Sequence, residues 1–253
     1  MPRIASNPVS KSPATRSVIY TAMQTSPKGA KANQKTVTAA TAKQRMLKLL
    51  LCSDAPEQAL RHRGFQLIAG VDEVGRGALF GPVVAAAVIL PDEIHHLAAA
   101  GLKDSKQMLR EDREAMDLEI RRIALAFSVA EISAEIIDQV NIYQATRRAM
   151  LAAVEGLALA PDHLLIDAMR IDHHCAQTKL IYGDSLSLSI AAASVLAKVH
   201  RDRLMVELDR DFNDYGWSSN KGYGAKVHMA ALRRLGQTVH HRHSWQLPEQ
   251  VAQ

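Results

Sequence analysis

The sequence predicts an α/β fold, a mixed β-sheet flanked by helices with a helical segment near the C-terminus. Three observations carry that reading. Strand-like apolar runs stand at 66–73, 82–90 and 126–132, then again at 163–168 and 179–183. Helical stretches fall at 111–124, 142–157, 187–211 and 224–234, so strands come first and then alternate with helices. The clearest helix, 187–211, carries Leu188, Ala192, Val195, Leu196, Val199 and Val206 on one stripe at 3.6-residue spacing. Apolar residues make up 47% of the chain, ample for a core.

Taken in order, residues 1–64 read as a basic extension and 65–253 as the folded domain. Residues 1–53 contain nine Lys or Arg and no acid, the first being Asp54. Subtracting those nine from 31 basic residues leaves 22 against 26 acidic ones, a net charge of −4 for the remainder. The overall charge of +5 therefore belongs to the extension and says little about the folded part. Residues 1–42 are rich in Ser, Thr, Lys, Ala and Pro without apolar period, the composition of a disordered tail. An acid-free start bearing Arg, Ser and Thr also has the composition of an organelle transit peptide, or of a basic arm for nucleic acid. Within 43–63 one short helix is expected, broken near Pro56. Two cysteines, Cys52 and Cys175, make no disulfide framework and point to a reducing compartment. The run "MLKLLLC" is short and carries Lys48, and "VVAAAVIL" is bounded by Pro82 and Pro91, so neither is a signal peptide or a membrane span. The expectation is a soluble cytoplasmic protein.

The chemistry gathers where strands end. Asp72 and Glu73 close the first strand, Asp167 closes "HLLID", and Asp184 closes "KLIYGD". Side chains at such ends project into the crevice where α/β sheets bind ligands. Two carboxylates about 4 Å apart repel by roughly 4 kcal/mol at an effective dielectric near 20, so a convergent set needs protons or cations. Oxygen-only donors select hard cations, Mg²⁺ or Mn²⁺, over zinc. Neighbouring strand residues face opposite sides, so Asp72 and Glu73 meet one metal only across a bulge or through a backbone carbonyl.

The glycines that follow are spaced Gly75-x-Gly77-x-x-x-Gly81, and Pro82 with a second strand comes next instead of a helix. That is not the dinucleotide fingerprint and disfavours a nucleotide-cofactor oxidoreductase. A tight turn that lets backbone N–H groups approach a substrate fits better. Asp202 reads as an ion-pair partner of Lys198 or Arg201, or else as a metal ligand in place of Asp184. Asp104, beside Lys103 and Lys106, reads as a turn acid. "DHHC" (172–175) and "HHRH" (240–243) lack zinc-ligand spacing and read as solvated loops.

The stretch "GVDEVGRGALFGPVVAAAVIL" resembles the signature of the ribonuclease HII family, the type 2 ribonucleases H. Further segments follow in the family's order: "LKDSKQM", "QVNIYQATRRAM", "LLIDAMRID", "GDSLSLSIAAASVLAKVHRDRLM" and "KGYGAKVHMAAL", covering about residues 66–248. The resemblance implies a ribonuclease H-like fold. It implies an endonuclease for the RNA strand of RNA–DNA hybrids and for single ribonucleotides embedded in duplex DNA. Two metal ions, Mg²⁺ or Mn²⁺, would sit on Asp72, Glu73, Asp167 and Asp184, and the products would carry 5′-phosphate and 3′-hydroxyl ends. Gly75, Arg76 and Gly77 would read the 2′-hydroxyl through their backbone, Tyr223 would stack on the sugar, and Ser105, Lys106 and Asn141 would hold phosphates. A monomer is expected, with a non-catalytic nucleic-acid-binding module as the alternative reading. Two departures stand out: Asp167-Ala168 replaces the family's Asp-Gly with little expected effect, and "HHRHSWQLP" replaces an Arg-rich segment ending Ser-Phe, which leaves the packing of Trp245 open.

Overall fold

A computed structural model of the protein describes residues 50–245. The tail expected over 1–42 lies outside the described residues. Five strands form one sheet in the order β3-β2-β1-β4-β5: β1 (Ile68–Val74), β2 (Val83–Ile89), β3 (Ala126–Ile132), β4 (His163–Asp167) and β5 (Ala176–Leu180). β1 runs antiparallel to β2 and β2 to β3, whereas β1–β4 and β4–β5 are parallel. This is the mixed sheet expected. The last strand comes earlier than the apolar run "KLIY" implied. Ladder pairing ends at Asp167–Leu180, and Tyr182 takes a left-handed φ of 60° that turns the chain out of the sheet.

Helices cover both faces. They are α1 (Ala55–Arg61), α2 (His95–Ala99), α3 (Arg110–Ile123), α4 (Ala134–Val140), α5 (Ile142–Glu155), α6 (Leu188–Asp211), α7 (Trp217–Asn220) and α8 (Lys226–Leu235). The alternation of β2 decides the layering. Val83, Ala85, Ala87 and Ile89 join Ala69 and Val71 under Ala145, Ala149 and Met150 of α5. Val84, Ala86 and Val88 face the other way, onto Ala192, Val195 and Leu196 of α6 and Met116 and Ile120 of α3. An all-apolar strand buried on both faces is what this central position requires.

Pro56 does not break a helix. It sits in the first turn of α1, where its missing N–H has no intrahelical partner to lose. α1 docks on the start of α6: Ser53 pairs with Ser187, and buried Glu57 accepts from Ser187 Oγ at 2.6 Å and the Ser189 N–H at 2.8 Å. α6 itself departs from a one-sided stripe. From Leu188 to Ala197 every residue is buried, while Val206 is only half-buried and Met205 enters the core in its place. Its alanines and serines let the helix sit between the sheet and an outer layer, so no polar face is left in that half.

The tightest approach is between α6 and β1. At Gly70 an added Cβ would collide with the backbone carbonyl of Ser189. Neither side of that contact can yield by a rotamer change, since both are backbone. Gly70→Ala is therefore expected to destabilise the fold by about 3 kcal/mol. A thermal melt should show Tm lower by roughly 6–12 °C.

Candidate active site

The β1 register places Asp72 on the α6 face, in line with Ile68 and Gly70, and leaves Glu73 on the face of Ala69 and Val71. The β1–β2 register is regular through Val74–Val84, so no bulge resolves the conflict of facing. The strand edge does. Pairing with β4 stops at Val71–Ile166, which frees that edge of β1 from Asp72 onward. A glutamate, one methylene longer than an aspartate, reaches round it. One carboxylate oxygen each from Asp72, Glu73 and Asp167 then lies within 4.8 Å of the others.

Each member is held differently. Asp72 Oδ1 accepts the N–H of Glu73 at 2.7 Å, and Asp167 Oδ1 accepts the N–H of Gly183 at 2.7 Å. Glu73 Oε1 meets Arg76 Nη1 at 3.3 Å. Asp72 Oδ2 and Glu73 Oε2 are buried and have no hydrogen-bond partner among the described residues. Buried oxygens without donors are costly unless a cation meets them. The donor set is all oxygen and anionic, and it fits Mg²⁺ or Mn²⁺.

Asp184 does not end a strand. It lies in a 3₁₀ turn, Gly183–Ser185, ahead of α6, and stands outside the trio. Lys106 Nζ approaches its Oδ2 at 3.8 Å. Burial lifts the Asp184 pKa to about 6, with Asp104 and Asp167 adding to it and Lys106 opposing. Asp72 is raised well above the carboxylate range by burial and then by Glu73, Asp167 and Asp184. Glu73 is raised by burial against the opposing charge of Arg76, and Asp167 is raised chiefly by burial. Burial works against the charge on Lys106, yet Asp72, Asp104, Asp184 and Glu73 outweigh it and hold its pKa high.

Beyond β1 the chain makes the glycine turn. Gly75 has a φ of +88°, and a Cβ there would strike the guanidinium of Arg201, so the fold itself demands glycine. Gly77 differs: an added Cβ would meet only the Tyr223 ring, at an ordinary 3.8 Å. The ring of Tyr223 thus flanks the turn from a distant part of the chain, with Arg201 placed 5.7 Å from its centroid. Two buried arginines grip this region through carbonyls alone. Arg201 donates to the carbonyls of Phe80, Pro82 and Lys221 at 2.8–3.1 Å. Arg242 donates to those of Gly75, Arg76 and Gly81 at 2.7–3.1 Å.

The sequence marks neither arginine as a carbonyl clamp, and "HHRH" is solvated only at its ends, where His240 and His243 are exposed. His241 and Arg242 are fully buried. His241 Nε2 lies 3.1 Å from Nε2 of His228, whose Nδ1 is 2.9 Å from the Tyr223 carbonyl. His241 Nδ1 accepts the Thr238 N–H, and the Trp217 indole N–H donates to His228 Nε2. That network assigns the protons: His241 carries its hydrogen on Nε2 and His228 on Nδ1, so both are neutral. Burial pushes the His241 pKa down to about 3, with His228 adding to it. In "DHHC", His174 is exposed and His173 half-buried, but Cys175 is buried. Trp245 packs under the Arg242 guanidinium, 5.4 Å from ring centroid to Cζ.

The remaining singled-out residues separate. Asp104 caps the 105–107 turn by accepting the Lys106 N–H at 2.9 Å, as a turn acid should. Ser105 is buried with its hydroxyl 2.9 Å from that of Ser194, which pins the turn to α6. Asn141 caps α5 through the N–H of Gln144 at a left-handed φ of 71°, and no contact ties it to the acids. Asp202 pairs with Lys198 at 2.6 Å and Arg113 at 3.6 Å, while Arg201 goes to carbonyls. Ala168 also has a left-handed φ, +51°, so replacing glycine there carries a strain of about 1 kcal/mol rather than little effect.

The raised carboxylate pKa values set a pH dependence. In the unfolded chain these groups ionise near pH 4. A raised folded pKa favours folding below that value, and the advantage is lost as pH rises through the folded pKa, about 6 for Asp184. Without metal, the protein should therefore melt lower at neutral than at mildly acidic pH, and excess Mg²⁺ or Mn²⁺ should restore the loss at neutral pH alone. Asp72→Asn should raise the metal-free neutral Tm and shrink the metal effect; an unchanged response to metal would refute the cluster as its site.

Known proteins resemble this chain in sequence and in fold. The sequence model of the family described as Ribonuclease HII matches residues 69–248. The Ribonuclease HII of Koribacter versatilis is 52% identical over 211 residues, covering 83% of this chain and 82% of that protein. The Ribonuclease HII of Bacillus cytotoxicus is 50% identical over 186 residues, covering 74% and 71%. Among solved structures, the ribonuclease HII in the PCNA complex of Archaeoglobus fulgidus superposes with a TM-score of 0.62 at 27% identity, over 72% of this chain and 96% of that one. The ribonuclease H2 of Pyrococcus horikoshii has the same fold, with a TM-score of 0.62 at 23% identity over 73% and 95%. The family match spans the acidic strands, the glycine turn, Tyr223 and the buried arginines alike, and the chain belongs to the ribonuclease HII family.

Proposed function

We propose that this ribonuclease H cuts the RNA strand of RNA–DNA hybrids and also duplex DNA at single embedded ribonucleotides, leaving 5′-phosphate and 3′-hydroxyl ends. The observation that carries the reading is one juxtaposition. Buried carboxylate oxygens without donors stand at one end of β1, and three residues on the chain strips itself of side chains beside an exposed aromatic ring. Asp72, Glu73 and Asp167 would hold divalent ions, with Asp184 completing the set from its turn. Bound there, two such ions supply an activated water and neutralise charge on the leaving 3′ oxygen.

The chain's own residues do the rest. Lys106 places a cation at the rim of the acids to hold a phosphate, and Ser105 seats the turn that carries it. The Asn141 amide N–H₂ donates to no acceptor among the described residues and would take a second phosphate, while its oxygen caps α5. Tyr223 offers a ring face to the sugar next to the junction. Gly77 needs no glycine for packing, so its bare Cα is explained by a substrate that comes close to the backbone. A 2′-hydroxyl is the group that distinguishes RNA at such a site. Excision of misincorporated ribonucleotides in the cytoplasm, by a monomer, is the role this chemistry serves. Among the described residues no helix is long and apolar enough to cross a membrane.

A DNA duplex holding one ribonucleotide tests the reading. Cleavage with Mg²⁺ or Mn²⁺, none with EDTA, and none by Asp72→Asn with binding retained is the expected set; binding without cleavage in every metal would leave the non-catalytic module instead. Gly77→Ala should keep the wild-type melt yet lose about 10²-fold in kcat/KM, because a displacement on the scale of one methyl group costs that much. Gly75→Ala should lose stability as well as activity. Equal melts for both alanine variants would undo the distinction drawn between the two glycines.

A further inference from the structure

The turn that meets the sugar is shaped from a part of the chain 161–167 residues away. Arg242 spreads its three nitrogens over the carbonyls of Gly75, Arg76 and Gly81, and it is itself 0% exposed. No carboxylate accepts from it among the described residues. A peptide group is planar and trans, so its C=O and N–H point in opposite directions. There is no cis peptide among the described residues. Drawing the Gly75 and Arg76 carbonyls inward therefore turns the N–H groups of Arg76 and Gly77 outward, where no acceptor among the described residues takes them.

The same C-terminal segment holds the other reader. The His240 carbonyl accepts the Gly81 N–H, and the His241–His228 relay ends on the carbonyl of Tyr223. The segment is latched at its far end by Asp138 of α4, which accepts from the His243 N–H, the Ser244 N–H and the Ser244 hydroxyl at 2.5–3.0 Å.

We propose that Arg242 is a positioning residue for ribose recognition: by drawing in three carbonyls it presents the Arg76 and Gly77 N–H groups to the 2′-hydroxyl, and the Asp138 latch keeps it in place. The inference rests on the function proposed above. Lysine cannot replace it, since a single ammonium point charge lacks the planar fork that meets three separate carbonyls. Arg242 touches no reacting atom; it acts through the turn.

The test compares the full-length protein's affinity, in EDTA so that nothing is cut, for two duplexes of one sequence. One is all DNA and the other carries a single ribonucleotide. The wild type is expected to favour the ribonucleotide duplex. Arg242→Lys should shrink that preference by about tenfold, the worth of one or two well-placed hydrogen bonds. Affinity for the all-DNA duplex should stay at the wild-type level, which a merely loosened fold would not allow. Asp138→Asn weakens the latch from the surface and should shrink the preference in the same direction by about threefold. It decides the matter if Arg242→Lys fails to fold in a circular dichroism melt. A wild-type preference kept in full by the folded variants overturns the inference alone. A wild type that binds both duplexes equally overturns the functional reading and the inference with it.

Discussion

Three carboxylates brought within 4.8 Å and largely buried are the constraint around which the rest is arranged. Each pair repels by about 3–4 kcal/mol at an effective dielectric near 20, a large fraction of the net stability of a domain. The sheet answers with rigidity. β2 is apolar on both faces, α6 lies against β1 at backbone contact, and no bulge softens the strand that carries Asp72 and Glu73. Relief is partial: backbone N–H groups for Asp72 and Asp167, Arg76 for Glu73, and Lys106 at the rim. What is left unmet is two oxygen atoms, and those are the ones a cation would meet.

The buried cations follow the opposite rule. Arg201 and Arg242 are as deeply buried as any charge among the described residues, yet they bond to carbonyls and not to carboxylates. Burial, with Arg201 adding to it, pulls the Arg242 pKa down to about 9, still above neutrality. Tying each guanidinium to three carbonyls commits the cations to backbone shape.

How much of this the sequence disclosed depends on whether a residue's partner is also written in the sequence. Asp72, Glu73 and Asp167 were legible because an acid after an apolar run is anomalous on its own. Asp184 was legible as an acid, and a turn role is common for an acid after a strand, but the strand's end was not legible, since "KLIY" looks like a strand until its register with Asp167 is known. The carbonyl-binding role of Arg201 and Arg242 was invisible: carbonyl partners have no side-chain signature, and "HHRH" looks wet by composition. The burial of the first half of α6 on all sides was hidden by small residues, which contrast little with polar ones on a helical wheel. Ala168 passed as a harmless neighbour because φ cannot be read from a letter.

Glu57 carries a consequence for how the protein comes apart. It lies outside the 69–248 family match, yet it takes up the Ser187 hydroxyl and the Ser189 N–H at the first turn of α6, just after Asp184. Fraying of α1 is therefore not confined to that one short helix. Each opening strands two donors at the head of the central helix and loosens the turn that carries a carboxylate, so local unfolding of α1 and the integrity of the acidic site share one free energy. The low-stability margin of this enzyme and its chemistry meet at a residue that belongs to neither the strands nor the glycine turn.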